Sequence, residues 1–456
     1  MKKTSPSRLH IISLGCSKNL VDSEVMGGLA QSSGMTIVES PDDADVVIVN
    51  TCGFIQPAKE EALDIILTLA GEKKKSGRNL KLVVAGCLAQ RYAKDLQNEI
   101  PEVDLFIGTG EVGRIAGHLQ NLSEAKPRRT VVCSKPDFLM TSQHERVLSS
   151  KSVTAYLKIS DGCSNCCTYC AIPSIRGKAR SRQPDDILRE AQNLVARGIK
   201  EIILIGQDTT AYGRDLKTRP KLSGLLSDLA GVSGLRWLRL LYAHPAHITT
   251  EVLTAMSNHK TICRYLDLPV QHIDDAILAA MNRKTGAARI SQMISDARSI
   301  IPGVALRTSI ITGFPGETQK RFERLLDFVR ETRFDHLGVF TYSREEGTAA
   351  AALPSRISEK EKERRREIIM SEQADISHAI NASLIGSIQE VLIEEKSGRE
   401  GYAFVGRCRR QAPEIDGVTY IKDASAKIGR IVKCKITAAD HYDLFGEIIS
   451  NSISQS

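Results

Sequence analysis

No run of eighteen or more uncharged apolar residues occurs in the chain, so no membrane-spanning helix is expected. The basic start, Met1-Lys2-Lys3-Thr4-Ser5-Pro6, runs straight into Arg8 and His10. It has neither the apolar stretch nor the small-residue cleavage site of a secretory signal, so a reducing cytoplasm is the expected compartment. There is no convincing internal repeat. With 42% hydrophobic and 25% charged residues, the composition excludes a mainly disordered, collagen-like or small disulfide-stapled chain. A strong charge bias is also missing: 62 basic against 54 acidic residues leave a net +8. All of that excess lies in residues 147–383, where 34 basic groups face 26 acidic ones; residues 384–456 balance at 10 and 10. This is too weak for a dedicated nucleic-acid binder, although it suits an anionic ligand or a face near nucleic acid.

What is present is length and cysteine. The 456 residues are too many for one core and imply two to four domains of about 100–200 residues. Eleven cysteines are an odd number. In a reducing compartment they favour metal binding or catalysis over disulfides.

Three blocks follow one another. Residues 1–145 alternate short apolar strands (Leu9–Leu14, Asp45–Asn50, Leu80–Ala85) with helical segments, a pattern that predicts a parallel sheet covered on both faces. Residues 126–152 are polar and proline-containing and read as a linker. Residues 153–383 repeat the alternation in six strand–helix units, from Ala155–Ser160 to His336–Tyr342, which predicts a partial (β/α)6 barrel and a following polar helix over 358–383. The charged run Glu359–Glu367 reads as a solvated helix face with i,i+4 pairs. Residues 384–456 change to short β-like runs separated by turns and predict a small β-barrel module. The fold class is therefore α/β with a small all-β tail.

The densest chemistry is Asp161-Gly162-Cys163-Ser164-Asn165-Cys166-Cys167-Thr168-Tyr169-Cys170, directly after the first barrel strand. A tight loop there can converge thiolates at the carboxyl rim, where barrel active sites sit. Four cysteines admit a zinc site, with Cys263 as a further recruit, but zinc pairs are ordinarily separated by a longer loop. The sharper reading takes Cys163, Cys167 and Cys170, spaced C-x-x-x-C-x-x-C, and leaves Cys166 as a bystander. Iron–sulfur clusters ordinarily use four cysteines, so three leave one iron open for a ligand. In the first block, Cys16, Cys52 and Cys87 each stand just past a strand, preceded or followed by Gly15, Gly53 and Gly86. The ends of parallel strands are where ligands bind in open α/β sheets. Three buried core cysteines are the plain alternative. Their equivalent positions favour a second three-ligand cluster. Cys133, Cys263, Cys408 and Cys434 read as ordinary packing or exposed residues.

The spacing around Cys163, with Tyr169 before Cys170, resembles the radical S-adenosylmethionine signature. The whole chain resembles the methylthiotransferase family of that superfamily, and its tail resembles the TRAM module. Ser13–Glu24, Val49–Ile55, Gly206–Gly213, Leu268–His272, Gly313–Thr318 and Leu337–Ser343 are similar to the branch that modifies an aspartate β-carbon on the twelfth small-subunit ribosomal protein. The other branch, which modifies tRNA adenosine, is the alternative, and a non-catalytic iron–sulfur protein that binds ribosomes is the alternative of a different class. Cys166 and Ala243-His244 depart from common family patterns.

The resemblance implies two [4Fe-4S] clusters, one on Cys163, Cys167 and Cys170 and one on Cys16, Cys52 and Cys87, with S-adenosylmethionine bound at the first. It implies radical abstraction of hydrogen from carbon, sulfur delivery from the front cluster and a second S-adenosylmethionine as methyl source. Tyr169 (through its backbone), Gly206, Gln207, Thr312 and Gly313 are expected to face S-adenosylmethionine; rim packing is the plain alternative. Arg176, Lys178, Arg180 and Arg182 read as approaching a cofactor carboxylate, an acidic substrate or rRNA, or as a solvated loop. Expected partners are the twelfth ribosomal protein, alone or in the ribosome or an assembly intermediate, and an electron donor such as flavodoxin or ferredoxin. A monomer is expected.

Overall fold

The computed structural model describes residues 7–124, 130–148, 153–354 and 356–449. The basic start at 1–6 and parts of the 126–152 linker lie outside them.

The first unit runs β1 (Arg8–Ser13), α1 (Ser17–Ser32), β2 (Thr36–Ile37), β3 (Val46–Thr51), α2 (Gln56–Ser76), β4 (Lys81–Gly86), α3 (Cys87–Glu99), β5 (Leu105–Ile107), α4 (Ile115–Glu124) and β6 (Thr130–Val132). Its six strands are all parallel, in the order β2-β1-β3-β4-β5-β6. β3, Val-Val-Ile-Val-Asn-Thr, is buried throughout, as a central strand covered on both faces must be. The short β2, β5 and β6 escaped the sequence pattern. β6 lies inside the stretch read as linker, which therefore begins by completing the sheet. Its described residues 133–148 include packed ones: a Cβ on Gly28 would run into the Glu145 carbonyl, and Arg146 is buried.

The second unit begins with β7 (Thr154–Lys158), a small antiparallel pair β8 (Ser160–Asp161) and β9 (Arg180–Ser181), and the helices α5 (Ile172–Arg176) and α6 (Pro184–Ala196). It continues through β10 (Glu201–Ile205), α7 (Leu222–Ala230), β11 (Trp237–Leu240), α8 (Thr250–Asn258), β12 (Ile262–Asp267), α9 (Asp275–Ala280), α10 (Ala287–Ile300), β13 (Ala305–Thr312), α11 (Gln319–Thr332) and β14 (His336–Thr341). β7, β10, β11, β12, β13 and β14 form an open parallel sheet in chain order, the arrangement of a six-unit partial barrel. α12 (Glu359–Ala382) follows, capped by Ser358. It is not simply a solvated helix. It makes the expected Glu361–Arg365 pair, yet Lys362 and Arg365 are buried against the barrel, and Arg365 bonds Glu317 at 2.8 Å.

The tail forms a closed five-stranded barrel of β15 (Ile388–Lys396), β16 (Phe404–Cys408), β17 (Thr419–Ile421), β18 (Ile431–Ala439) and β19 (Leu444–Ile448). β19 is a strand that the pattern reading missed. Arg407, Arg409 and Arg410 are spent on docking. Arg407 pairs with buried Glu201 at the start of β10, Arg409 bonds the carbonyls of Lys260 and Ile262, and Arg410 pairs with Asp335. The tail thus closes the amino-terminal end of the barrel strands, opposite the rim that carries the cysteine loop.

Candidate metal centres

β1, β3 and β4 are neighbours in the front sheet, with Ser13 opposite Asn50 and Thr51 opposite Gly86. Their carboxyl ends therefore bring Cys16, Cys52 and Cys87 side by side. Cys16 is the N-cap of α1 and Cys87 the first residue of α3, so the positive ends of two helix dipoles point at the thiols. The close turns need glycine: Gly15 (φ 87°) has its missing Cβ 3.1 Å from Cys52 Sγ, and a Cβ on Gly53 would lie 2.8 Å from the Leu88 backbone. Burial pushes Cys52 up to about 12, helped by the charges of Cys87 and Cys16, and also raises Cys87. Burial acts on Cys16 in the same sense, but Lys18, Arg176 and backbone N–H groups outweigh it and lower that thiol. Three thiols at neighbouring strand ends, two of them raised by burial, fit a cationic centre, whose binding releases their protons.

In the barrel, Gly162 (φ 79°) turns the chain into the cysteine loop, and a Cβ there would strike the Lys178 carbonyl. The loop is pinned by Cys163 N to Gly177 O (3.0 Å), Cys170 N to Cys167 O (3.1 Å) and Thr168 N to Met281 O (3.0 Å). Burial raises Cys163 to about 11 and Cys170 to about 12, and each feels the charge of Cys167. Arg283 donates to Cys167 Sγ at 3.8 Å. Cys166 is exposed and takes no part in this convergence. Cys263 is buried near the amino end of β12, away from the rim, so it is not a recruit.

The other expected site residues separate into two groups. Gly206 ends up against Ser160, and Gln207 donates to Asp161 at 2.9 Å, both at the rim beside the cysteine loop. Tyr169 packs against the apolar cluster of Ile277, Met281, Phe314, Tyr342 and Ala350. The Thr312 hydroxyl points to the Phe340 and Lys362 carbonyls, and the open side of Gly313 (φ 74°) is filled by the Lys362 side chain. These two side positions therefore face α12.

Two of the basic residues after the loop correct the sequence reading. Arg182 is buried against Asp186 and Glu190. Arg176 is buried in a network that joins both centres. It donates to Asp22 and Asn19 of α1 at 2.9 and 2.6 Å and to Asp161 at 3.1 Å, while Lys158 also contacts Asp22 and Asp161. Cys87 Sγ lies 3.7 Å from the same Asn19 oxygen. Burial opposes the charge on Asp161, yet Lys158 and Arg176 overcome it and hold that carboxyl well below the usual range. Neither a free guanidinium nor a solvated loop describes Arg176.

A third constellation was not foreseen. Asp208, His244 and His247 bring possible ligand atoms within 4.8 Å of one another. The Asp208 oxygens already accept from Asn165 (2.7 Å), His247 (2.6 Å), Thr210 (2.7 Å) and Ala211 N (3.2 Å). His244 Nδ1 accepts from Ala246 N–H at 3.1 Å. With its lone pairs taken, this group braces the rim loops against the cysteine loop. Burial raises Asp208, but its hydrogen bond from His247 prevails and holds it at about 2.

Comparisons with known proteins agree with this layout. The uncharacterized protein family UPF0004 matches residues 8–108, the radical SAM superfamily 157–329 and the TRAM domain 385–449. The chain is 55% identical over 455 residues to the ribosomal protein uS12 methylthiotransferase RimO of Syntrophus aciditrophicus, covering 99% of this chain and 100% of that one. It is 48% identical to the protein of the same name from Geobacter sulfurreducens, covering 97% and 99%. Among solved structures it resembles the radical S-adenosylmethionine methyltransferase TsrM of Kitasatospora setae, with TM-score 0.56 and 12% identity over 76% of this chain and 74% of that one. That last likeness is one of fold.

Proposed function

This chain belongs to the RimO family of ribosomal protein uS12 methylthiotransferases, and from that premise we propose that it adds a methylthio group to the β-carbon of an aspartate in uS12. The observation that carries the reading is the pairing of two cysteine triads across one buried polar network, Asn19–Arg176–Asp161. The donor sets fit two [4Fe-4S] clusters, one on Cys163, Cys167 and Cys170 and one on Cys16, Cys52 and Cys87. S-adenosylmethionine, bound at the first, supplies the radical that removes hydrogen and the methyl group of the product.

The chain's own residues do the holding. Gly162, Asn165 and Asp208 set the shape of the cysteine loop, and Arg176 and Asp161 tie it to the front triad. Gly206, Gln207 and the backbone at Tyr169 line the cofactor side of the rim. Thr312 and Gly313 shape it by seating α12. Residues 1–145 carry the front centre, 153–383 the radical centre and 384–456 the closing module. The enzyme works as a monomer in the cytoplasm, on uS12 alone or in a ribosomal particle, with a flavodoxin or ferredoxin as electron donor.

The test is the intact mass of uS12 from cells with and without this chain. A methylthio increment present only with the chain is the expected result. An unchanged mass sinks the reading, and analysis of tRNA nucleosides then examines the adenosine branch.

A further inference from the structure

Buried cations in this molecule come with carboxylates. Arg146 lies between Glu24 and Glu190, Lys158 and Arg176 share Asp22 and Asp161, and Arg239 and Arg407 share Glu201. Charge burial demands this, because an uncompensated ion in a protein interior is costly. Lys18 and Arg283 break the pattern. Both are buried, and among the described residues neither forms an ion pair with a carboxylate. Arg283 is committed to Cys167 Sγ and to the Pro269 carbonyl. Lys18 has less. Its Nζ stands 3.3 Å from the centre of the Tyr242 ring, two residues along the chain from Cys16.

The ring beneath it is held rigidly. Tyr242 has φ 62°, in the left-handed region that a bulky side chain rarely adopts. Its N–H bonds Asp267 at 2.8 Å, its carbonyl accepts from the Thr209 backbone at 3.1 Å, and its hydroxyl lies 3.3 Å from Ser17 Oγ. Lys18 comes from the front unit and Tyr242 from the rim just past β11, so the ammonium stands where the two units meet, beside the front triad. The place is open: Gly15 is exposed, and Cys16 and Tyr242 are half-buried.

We propose that Lys18 anchors the side-chain carboxylate of the target aspartate, with Tyr242 as its rigid backing. The inference rests on the reading of the chain as an aspartate methylthiotransferase. In an aspartate the β-carbon is bonded directly to the carboxylate carbon. A cation that grips the carboxylate next to Cys16 therefore presents the β-carbon to the front thiols. A compact ammonium with three donors fits an anionic oxygen in a confined site. A tRNA adenosine has no such carboxylate, so Lys18 also discriminates between the two substrate classes of the family.

The experiment uses the full chain with both clusters reconstituted anaerobically. Its probes are a synthetic uS12 peptide with the target aspartate and the same peptide with asparagine there. Dissociation constants are measured for both, with the unaltered protein and with Lys18→Met, which keeps the apolar stem over Tyr242 and removes the charge. The expected result is that the unaltered protein prefers the aspartate peptide about tenfold or more, and that Lys18→Met binds the two peptides alike. Lys18→Arg keeps part of the preference. A preference that survives intact in Lys18→Met overturns the anchor. Loss of front-centre iron in that variant with the preference unchanged makes Lys18 a counterion of the thiols and also overturns it. No preference in the unaltered protein, which nevertheless methylthiolates the aspartate peptide, overturns the anchor while the aspartate reading stands. No binding and no methylthiolation of that peptide overturns both.

Discussion

At the scale of single residues, the centres depend on positions where nothing larger fits. Gly53 is the sharpest case, because the obstacle is backbone: an added Cβ meets Leu88 N and Cα at 2.8 Å and the Cys87 carbonyl carbon at 2.9 Å. A side chain there pushes the start of α3, and with it Cys87, away from Cys16 and Cys52. Gly53→Ala is expected to reduce bound iron from about eight to about four per chain, measured by metal analysis after anaerobic reconstitution; full iron content would refute the convergence. The cysteines divide by role. Cys163→Ala should abolish S-adenosylmethionine cleavage, since it removes a holder of the radical centre. Cys52→Ala should lose the methylthio product while the cofactor is still cleaved. Product at the unaltered level from Cys52→Ala would take the front triad out of the reaction.

At the scale of elements, the seam between barrel and α12 is built on Gly313. Its φ of 74° suits glycine, and its open side is occupied by the Lys362 stem. Lys362 in turn donates to the Tyr342 carbonyl at 2.8 Å. Gly313→Ala combines backbone strain with a clash and is expected to cost about 1–3 kcal/mol, seen as a lower midpoint in thermal or urea unfolding. An unchanged midpoint would mean that α12 seats elsewhere. α1 is the second telling element. A surface helix ordinarily shows one apolar and one polar face. α1 buries Val21, Val25 and Met26 but also Asn19, Asp22 and Glu24, because it is sandwiched between the front sheet and the cations Lys158 and Arg176 of the barrel and Arg146 of the connecting stretch.

At the scale of the whole molecule, Glu201 is the bolt between barrel and tail. It is fully buried and pairs with Arg239 at 2.8 Å and Arg407 at 2.6 Å. Burial opposes its charge, but the two guanidinium groups prevail and lower its carboxyl to about 2. A carboxyl depressed on folding contributes stability above its unfolded pKa of about 4.3, and that stability is lost as pH falls toward the folded value. Unfolding free energy should therefore drop between about pH 4.5 and pH 2. Glu201→Gln should be destabilised near neutrality by about 3–5 kcal/mol, since it leaves buried Arg239 without its carboxylate and Arg407 with Glu394 alone, and should lack this part of the acid transition. Equal acid sensitivity in both proteins would place the transition in other carboxylates.

The sequence alone determined much of this protein. Alternating apolar runs dictated two parallel sheets, because a strand buried on both faces has no choice but to be apolar. The local spacing of Cys163, Cys167 and Cys170 pointed to one centre. The equivalent strand-end positions of Cys16, Cys52 and Cys87 pointed to a second, since strand order carries distant residues to one edge. Short strands such as β2, β5 and β19 were illegible because two to five residues hold too little periodicity. The tertiary structure decided the rest. Arg176 and Arg182 look alike in a basic loop, as do Arg407, Arg409 and Arg410 in the tail. Only packing shows that these five are consumed by carboxylates and carbonyls, Arg182 by Asp186 and Glu190 close by and the other four by groups far away in the chain. Lys18 looks like any helix lysine in the sequence. That it pairs with no carboxylate among the described residues is a property of its three-dimensional surroundings, because the partner of a buried charge is chosen by distance and not by sequence.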